Sequence, residues 1–413
     1  MPKECQVKTT FPHGFLWGTA TAGHQVEGNN VNSDFWVLEH LPETYFREPS
    51  GDTIDHYHRY PQDIALLAEL GFNSYRFSIE WARVEPEEGC FSQVALDHYG
   101  RMLEACHEHG LAPVVTFHHF VSPRWLISDG GWLNIDTAER FARYCAHATS
   151  YLGDLISHAC TINEGNVPRM RALHKRQAPL SDPFTQAAAR AFGVAPGAVY
   201  TFLDATSEQG RDVILAAHRL AAMAIKAERT GLPVGMTVAL WEMQAVEGGE
   251  EMRDRMDEEI NRVYLKAAGE DDFVGVQTYG RWRYGPEGRL DPEPGVELTQ
   301  VGYEFWPQAL EATIRQAHSV AGVPIIVTEN GISTHDDARR VAYYHRALQA
   351  VVECLNDGVD VRGYYAWSAF DNYEWQLGYE PHFGLIAVDR ETQERTVKPS
   401  ARFLGEIARA NAF

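Results

Sequence analysis

Eight short apolar runs, separated by amphipathic stretches that end at glycine, constrain the fold of this 413-residue chain more than any other feature. The runs read as strands at Phe15–Ala22, Tyr75–Trp81, Ala112–His119, Leu155–Glu164, Pro233–Trp241, Asp272–Tyr279, Pro324–Glu329 and Gly363–Phe370. Between them, Pro61–Leu70 stops at Gly71 and Val94–His109 at Gly110. Thr137–Tyr151 runs to Gly153, Arg211–Arg229 to Gly231 and Asp337–Asn356 to Gly358. Glycine accepts the left-handed conformation that closes a helix, so each of these stretches reads as a helix with its stop. A helix between two strands returns the chain to its starting end, which makes the strands parallel. Eight such units predict a closed (β/α)8 barrel, as one domain over residues 1–413, rather than an open sheet. No G-x-G-x-x-G follows an early strand, so a dinucleotide-binding fold lacks its fingerprint. Two connections, Asn166–Gly210 and Arg281–Tyr303, are long for a barrel, and long loops on such a scaffold build its site.

The formal net charge of −21 disfavours nucleic acid, whose phosphates need a basic surface. Cys5, Cys90, Cys106, Cys145, Cys160 and Cys354 are dispersed, with no C-x-x-C pair, which predicts reduced thiols and a cytoplasmic protein. Met1–Gln6 shows no apolar core of a signal peptide, and no run approaches a membrane span, so no membrane partner is expected.

The strand ends are unusually polar. Gln25 follows the first strand, Arg76 lies in the second, and His118-His119 end the third. Asn163-Glu164 end the fourth, in Ala159-Cys160-Thr161-Ile162-Asn163-Glu164-Gly165. Tyr279 ends the sixth, Glu329-Asn330 the seventh, and Trp367 lies in the eighth, ahead of Asp371-Asn372-Tyr373-Glu374-Trp375. In a barrel these ends converge on one mouth. Two carboxyl groups facing each other across it, among donors and aromatic surfaces, suit glycosidic bond cleavage: one gives a proton to the leaving oxygen, the other attacks the anomeric carbon or activates water.

Four longer stretches sharpen this. Phe11–Gly28 (FPHGFLWGTATAGHQVEG), Thr161–Glu164 (TINE), Val327–Gly331 (VTENG) and Trp367–Asp389 (WSAFDNYEWQLGYEPHFGLIAVD) occur in this order, followed by Arg395–Ala401 (RTVKPSA). Together they resemble family 1 of the glycoside hydrolases, the retaining β-glucosidase-like enzymes, over nearly the whole chain. The resemblance implies that Glu329 is the nucleophile and Glu164 the acid/base. It implies that Arg76 and Tyr279 hold Glu329 and lower its pKa, and that Asn163 binds the sugar 2-hydroxyl. Gln25, His118, Glu374 and Trp375 match the groups that bind the other hydroxyls, Trp367 matches the floor under the ring, and His119 and Phe383 join the substrate-binding set. An acidic residue at Glu374 would repel a phosphate, so a non-phosphorylated β-glucoside or related β-glycoside is the expected partner. No metal and no cofactor is expected, although Asp55–His58 and His118-His119 contain histidine spacings seen in metal sites. A homo-oligomer is compatible with the sequence.

The chain departs from the family pattern at several points. His119 stands where Trp is frequent and would reshape the glycone wall. Gln277-Thr278 replace Asn-Tyr before Tyr279, Gly165-Asn166 follow Glu164 where Pro is common, and His382 precedes Phe383-Gly384 where another basic residue is usual. Glu242–Glu270 is short, which predicts a more open or differently shaped leaving-group side. A transglycosidase using the same covalent intermediate, and a silent sugar-binding protein, are the competing readings.

Overall fold

Eight parallel strands close into a barrel: β1 (Leu16–Ala20), β2 (Ser74–Ser78), β3 (Ala112–His118), β4 (His158–Ile162), β5 (Val234–Ala239), β6 (Phe273–Thr278), β7 (Ile325–Asn330) and β8 (Val361–Trp367). Each neighbours the next, and β8 pairs with β1 to complete the ring. The computed structural model describes residues 9–174 and 179–413, so the readings of Met1–Gln6 and Cys5 lie outside the described residues. All eight predicted strands are present, most of them shorter than the apolar runs that announced them.

The crossover helices are α1 (His56–Leu70), α2 (Gln93–Glu108), α3 (Thr137–Leu152), α4 (Glu208–Glu228), α5 (Glu250–Asp257), α6 (Ala309–Ala321) and α7 (Asp337–Asn356), with α8 (Pro399–Ala410) after the last strand. Gly71 closes α1 at φ 106°, and Gly322 closes α6 at φ 70°. The apolar faces of the helices and the outward residues of the strands make the main core, where Val115, Ala159, Val327 and Val361 meet Leu103, Tyr144, Ile214 and Leu348.

A second, smaller core fills the barrel itself. Ala20, Val114, Cys160, Phe273, Ile326 and Tyr365 form it, with Trp367 and Phe383 above. Alternation along each strand separates the two cores: Ile326 points inward, Ile325 and Val327 outward. Gly18 shows how tight the interior is, since a Cβ there would lie 2.4 Å from the Tyr365 ring. Cys160 is thus a barrel-filling residue beneath the mouth.

Among the described residues, both long connections carry regular structure. Residues 166–210 contain helices Val167–His174 and Pro183–Phe192. The short segment after β5 and the connection after β6 join in a small sheet, Glu242–Ala245 beside Arg281–Gly285, with Gly288–Leu290 antiparallel to the latter. Among the described residues, no helix is long and apolar enough to cross a membrane, and no group of three or more His, Cys, Asp or Glu is arranged to hold a metal ion.

Candidate active site

Arg76 is the hub of the barrel mouth. It is fully buried in β2 and reaches across the axis. Its Nη1 donates to Glu329 Oε1 at 2.7 Å, and its Nη2 donates to Asn163 Oδ1 at 2.5 Å. One guanidinium therefore ties β2 to β7 and to the end of β4. Tyr279, just past β6, donates its hydroxyl to Glu329 Oε2 at 2.6 Å, so both oxygens of Glu329 are held.

A regular strand would not aim Glu329 this way. Ile326 faces the barrel interior, so strict alternation would send residue 329 outward to the helices. The register slips between Val327 and Glu329 against β6, and between Val327 and Asn330 against β8. Such a bulge re-aims the side chain that follows it. Asn330 locks the new direction, donating to Thr278 O at 2.6 Å and accepting from the Tyr364 hydroxyl at 2.7 Å.

The end of β4 solves a related problem. Neighbouring strand residues face opposite sides, yet Asn163 and Glu164 both belong to the mouth. The strand stops at Ile162, and Glu164 takes the left-handed backbone conformation at φ 48°. Its backbone N–H donates to Thr237 Oγ1 at 3.1 Å, and the same hydroxyl donates to Asn163 Oδ1 at 3.2 Å. Gln277 Nε2 also donates to Asn163 Oδ1, at 2.9 Å. Phe120 (φ 70°) and Trp375 (φ 54°) are left-handed as well. Such conformations cost about 1–3 kcal/mol each and gather at functional sites.

The two carboxyl groups have different surroundings. Burial pushes Glu164 well above the usual carboxylate range, and the charge of Glu329 adds to this against the pull of Arg76. Burial raises Glu329 too, but the charge of Arg76 and the hydrogen bonds from Tyr279 and Arg76 oppose it. Arg76 and Tyr279 thus lower it as expected of them, while withdrawal from water makes the net shift upward. The order survives, because the cation and the phenol bond to Glu329, which ionises first and keeps the proton on Glu164.

Opposite these carboxyls lies a wall of rings and amides. His119 stacks between Trp367 (5.7 Å, 22°) and Trp375 (6.2 Å, 23°). Its Nε2 pairs with Asn163 Nδ2 at 3.1 Å. Burial, reinforced by Arg76, pushes its pKa well below normal, so the ring is neutral. A neutral imidazole that accepts at Nε2 carries its proton on Nδ1, and Nδ1 is buried with no protein partner. Gln25 Nε2 donates to Tyr373 O at 2.7 Å and Asn372 Oδ1 at 3.1 Å, leaving its Oε1 without a partner. Glu374 Oε1 is likewise buried and unpartnered. Burial, then the charges of Glu329 and Asp371, lift the Glu374 carboxyl to about 8. Phe383 meets Tyr279 edge-on at 6.0 Å and closes the wall.

His118 does not join this group, which corrects its expected place beside the substrate. Its ring packs against Trp132, Phe141 and Phe202, and its Nε2 pairs with Ser122 Oγ at 3.0 Å. β3 ends at His118, so the next residue, His119, lies beyond the strand, and its ring packs against Trp367 and Trp375. Arg76, His119, Asn163, Tyr279 and Glu329 are joined by the hydrogen bonds above. Sequence reasoning overlooked Thr237, although a polar residue in an apolar strand was a visible signal.

Comparisons with known proteins agree with this geometry. The family model described as glycosyl hydrolase family 1 matches residues 7–190 and 241–413. The bifunctional beta-D-glucosidase/beta-D-fucosidase of Bifidobacterium breve is 32% identical, over 94% of this chain and 96% of its own length. Thermostable beta-glucosidase B of Thermobispora bispora is 30% identical, over 98% of this chain and 92% of its own. The crystal structure of beta-glycosidase BGL167 superposes with a TM-score of 0.94 at 58% identity, covering 97% of each chain. With its (β/α)8 barrel and the two glutamates held at its mouth, the chain belongs to glycosyl hydrolase family 1 and is a glycoside hydrolase.

Proposed function

We infer that this chain is a retaining β-glucosidase, with β-fucosidase or β-galactosidase side activity, acting on non-phosphorylated β-glycosides as a single-domain enzyme. The observation that carries this reading is the unequal treatment of two carboxyl groups at one mouth. Glu329, gripped by Arg76 and Tyr279, attacks the anomeric carbon. Glu164, which keeps its proton, delivers it to the departing oxygen. When the covalent glycosyl-enzyme forms, the charge on Glu329 disappears. The pKa of Glu164 then falls, and the same group takes a proton from water in the second step.

The unpartnered atoms on the facing wall support a sugar there. A buried polar atom without a partner costs about 1–3 kcal/mol. Hydroxyl groups would satisfy His119 Nδ1, Gln25 Oε1 and Glu374 Oε1, while Trp367 supplies an apolar face for the ring. The Glu374 carboxyl would repel a 6-phosphate once ionised. Among the relatives, the Bifidobacterium breve enzyme is named for both glucosidase and fucosidase activity, which supports the side activity.

The test is a panel of nitrophenyl α- and β-glycosides, with the released sugar followed at its anomeric proton by NMR. The β-anomer appearing first from a β-glucoside is the expected result. An α-anomer first would overturn retention, and no turnover of any β-glycoside would favour a silent binding protein.

The two adjacent histidines give a sharper test of where the sugar sits. His119→Ala is expected to lower kcat/KM on a nitrophenyl β-glucoside by about 10- to 100-fold, the value of a hydrogen bond to a buried group. His118→Ala removes a ring from the Trp132–Phe202 shelf, so it should lower Tm and leave kcat/KM little changed. The reverse pattern would restore His118 as the hydroxyl-binding residue.

A further inference from the structure

Glu329 is held by its own two oxygens, whereas Glu164 is placed through the backbone that carries it. That backbone borders a gap in the barrel. β4 and β5 pair at Ala159–Val234 and Cys160–Gly235, and their ladder goes no further. β5 itself runs on to Ala239, where it still pairs with β6. On the β4 side, the last residues of β5 therefore face no strand. Buried backbone groups need partners, and here side chains supply them.

Thr237 Oγ1 accepts from the Glu164 N–H at 3.1 Å. Two residues after Glu164, Asn166 is fully buried. Its amide meets both backbone groups of Ala239: Oδ1 accepts from the N–H at 3.0 Å, and Nδ2 donates to the carbonyl at 2.7 Å. In a regular parallel pair both groups would go to the backbone of the neighbouring strand, so the side-chain amide stands in for a missing peptide group. Nδ2 also donates to Ile260 O at 2.8 Å, in the π-helical turn Glu258–Arg262. One side chain thus ties the stretch after Glu164 to the end of β5 and to the helical segment beyond it.

The turn needs such a hold. Glu164 is left-handed at φ 48°, a conformation that persists only where its surroundings fix it. Gly165 follows, and glycine has more backbone freedom to lose than any other residue. The Glu164 carbonyl accepts from Val167 N at 3.0 Å, at the start of the helix Val167–His174. Thr237 fixes the entry to this turn and Asn166 fixes its exit. A tilt of the turn moves the carboxyl, which must come within hydrogen-bond reach of the leaving oxygen.

We propose that Asn166 is a positioning residue for the acid/base: its amide closes the β4–β5 gap and so holds the strained turn that aims Glu164. This rests on the reading of Glu164 given above. The experiment compares kcat/KM of the wild type, Asn166→Ala and Asn166→Ser on two substrates, with Glu164→Ala as the reference. Phenyl β-glucoside needs a proton on its leaving oxygen, and 2,4-dinitrophenyl β-glucoside does not. Asn166→Ala is expected to lose about 10- to 100-fold on the phenyl glucoside, the scale of a catalytic group out of place, and to stay within about threefold of wild type on the dinitrophenyl glucoside. Asn166→Ser keeps a polar group, so it should lose less with the same selectivity, and it carries the comparison if the alanine variant does not fold. Loss of folded enzyme lowers both rates alike. Equal losses on the two substrates would therefore make Asn166 a structural residue and overturn the proposal, as would no loss on either. If Glu164→Ala itself loses equally on both substrates, the acid/base reading fails instead.

Discussion

Glu329→Ala is expected to lower kcat/KM on a nitrophenyl β-glucoside by about 10⁴-fold or more, as loss of a nucleophile does elsewhere, and added azide is expected to restore turnover with α-glucosyl azide as the product. The side chain removed would form the bond to the anomeric carbon from the face opposite the leaving group. Alanine opens space on that same face, and a small anion entering it attacks once, with inversion, so a β-glucoside yields an α-azide. The site favours an anion there, because Arg76 Nη1 and the Tyr279 hydroxyl still point at the vacated position. Loss of the carboxylate also leaves a buried guanidinium without its charge partner, a change that costs about 3–5 kcal/mol in comparable sites. A fall in Tm is therefore expected alongside the fall in rate. Glu329→Gln separates the two effects: it keeps the shape and still accepts from Arg76, but cannot form the ester. If Glu329→Gln retains more than a hundredth of wild-type activity, or if azide gives only the β-product, Glu329 is not the nucleophile.

The barrel was legible because its physics is local and repeated. An apolar run, a glycine stop and an amphipathic helix need no distant partner to be recognised, and all eight strands fell where such runs predicted them. Helix α6 escaped notice because it follows the irregular, charged connection 281–303, and nothing in that stretch announces a helix start. The residue types of the site were legible for a related reason: polar side chains at the ends of apolar strands are costly unless used. Their directions were not. Aiming Glu329 inward depends on a register slip against two neighbouring strands, which no single run of sequence displays. The choice between His118 and His119 turns on where β3 ends, which two adjacent histidines after an apolar run do not mark. Thr237 acts only because β4 and β5 pair.

Glu164→Ala should show the opposite dependence on chemistry. Its proton matters only when the leaving oxygen is basic. On phenyl β-glucoside, kcat/KM is expected to fall by about 10²–10⁴-fold, the usual contribution of a general acid. On 2,4-dinitrophenyl β-glucoside, whose phenolate leaves unaided, the fall should be far smaller. The second step then lacks its base, so the glycosyl-enzyme accumulates and a burst of dinitrophenol precedes slow turnover. Azide, which needs no base, should speed that turnover and give β-glucosyl azide, the anomer opposite to the one from Glu329→Ala. The pH profile follows from the two surroundings. Glu329 acts as its anion, so kcat/KM on phenyl β-glucoside falls as pH drops through its pKa. Glu164 acts in its protonated form, and burial together with the charge of Glu329 raises its pKa, so kcat/KM falls again as pH rises through that higher value. The bell belongs to the coupled pair, and its alkaline limb depends on Glu164 alone. In Glu164→Ala that limb should vanish while the acid limb stays close to its place, because Glu164 carries no charge when Glu329 ionises. An alkaline limb that persists unchanged in Glu164→Ala would assign the proton to another group at the mouth, and Glu374, held near 8 by burial, is the one whose ionisation would have to be tested next.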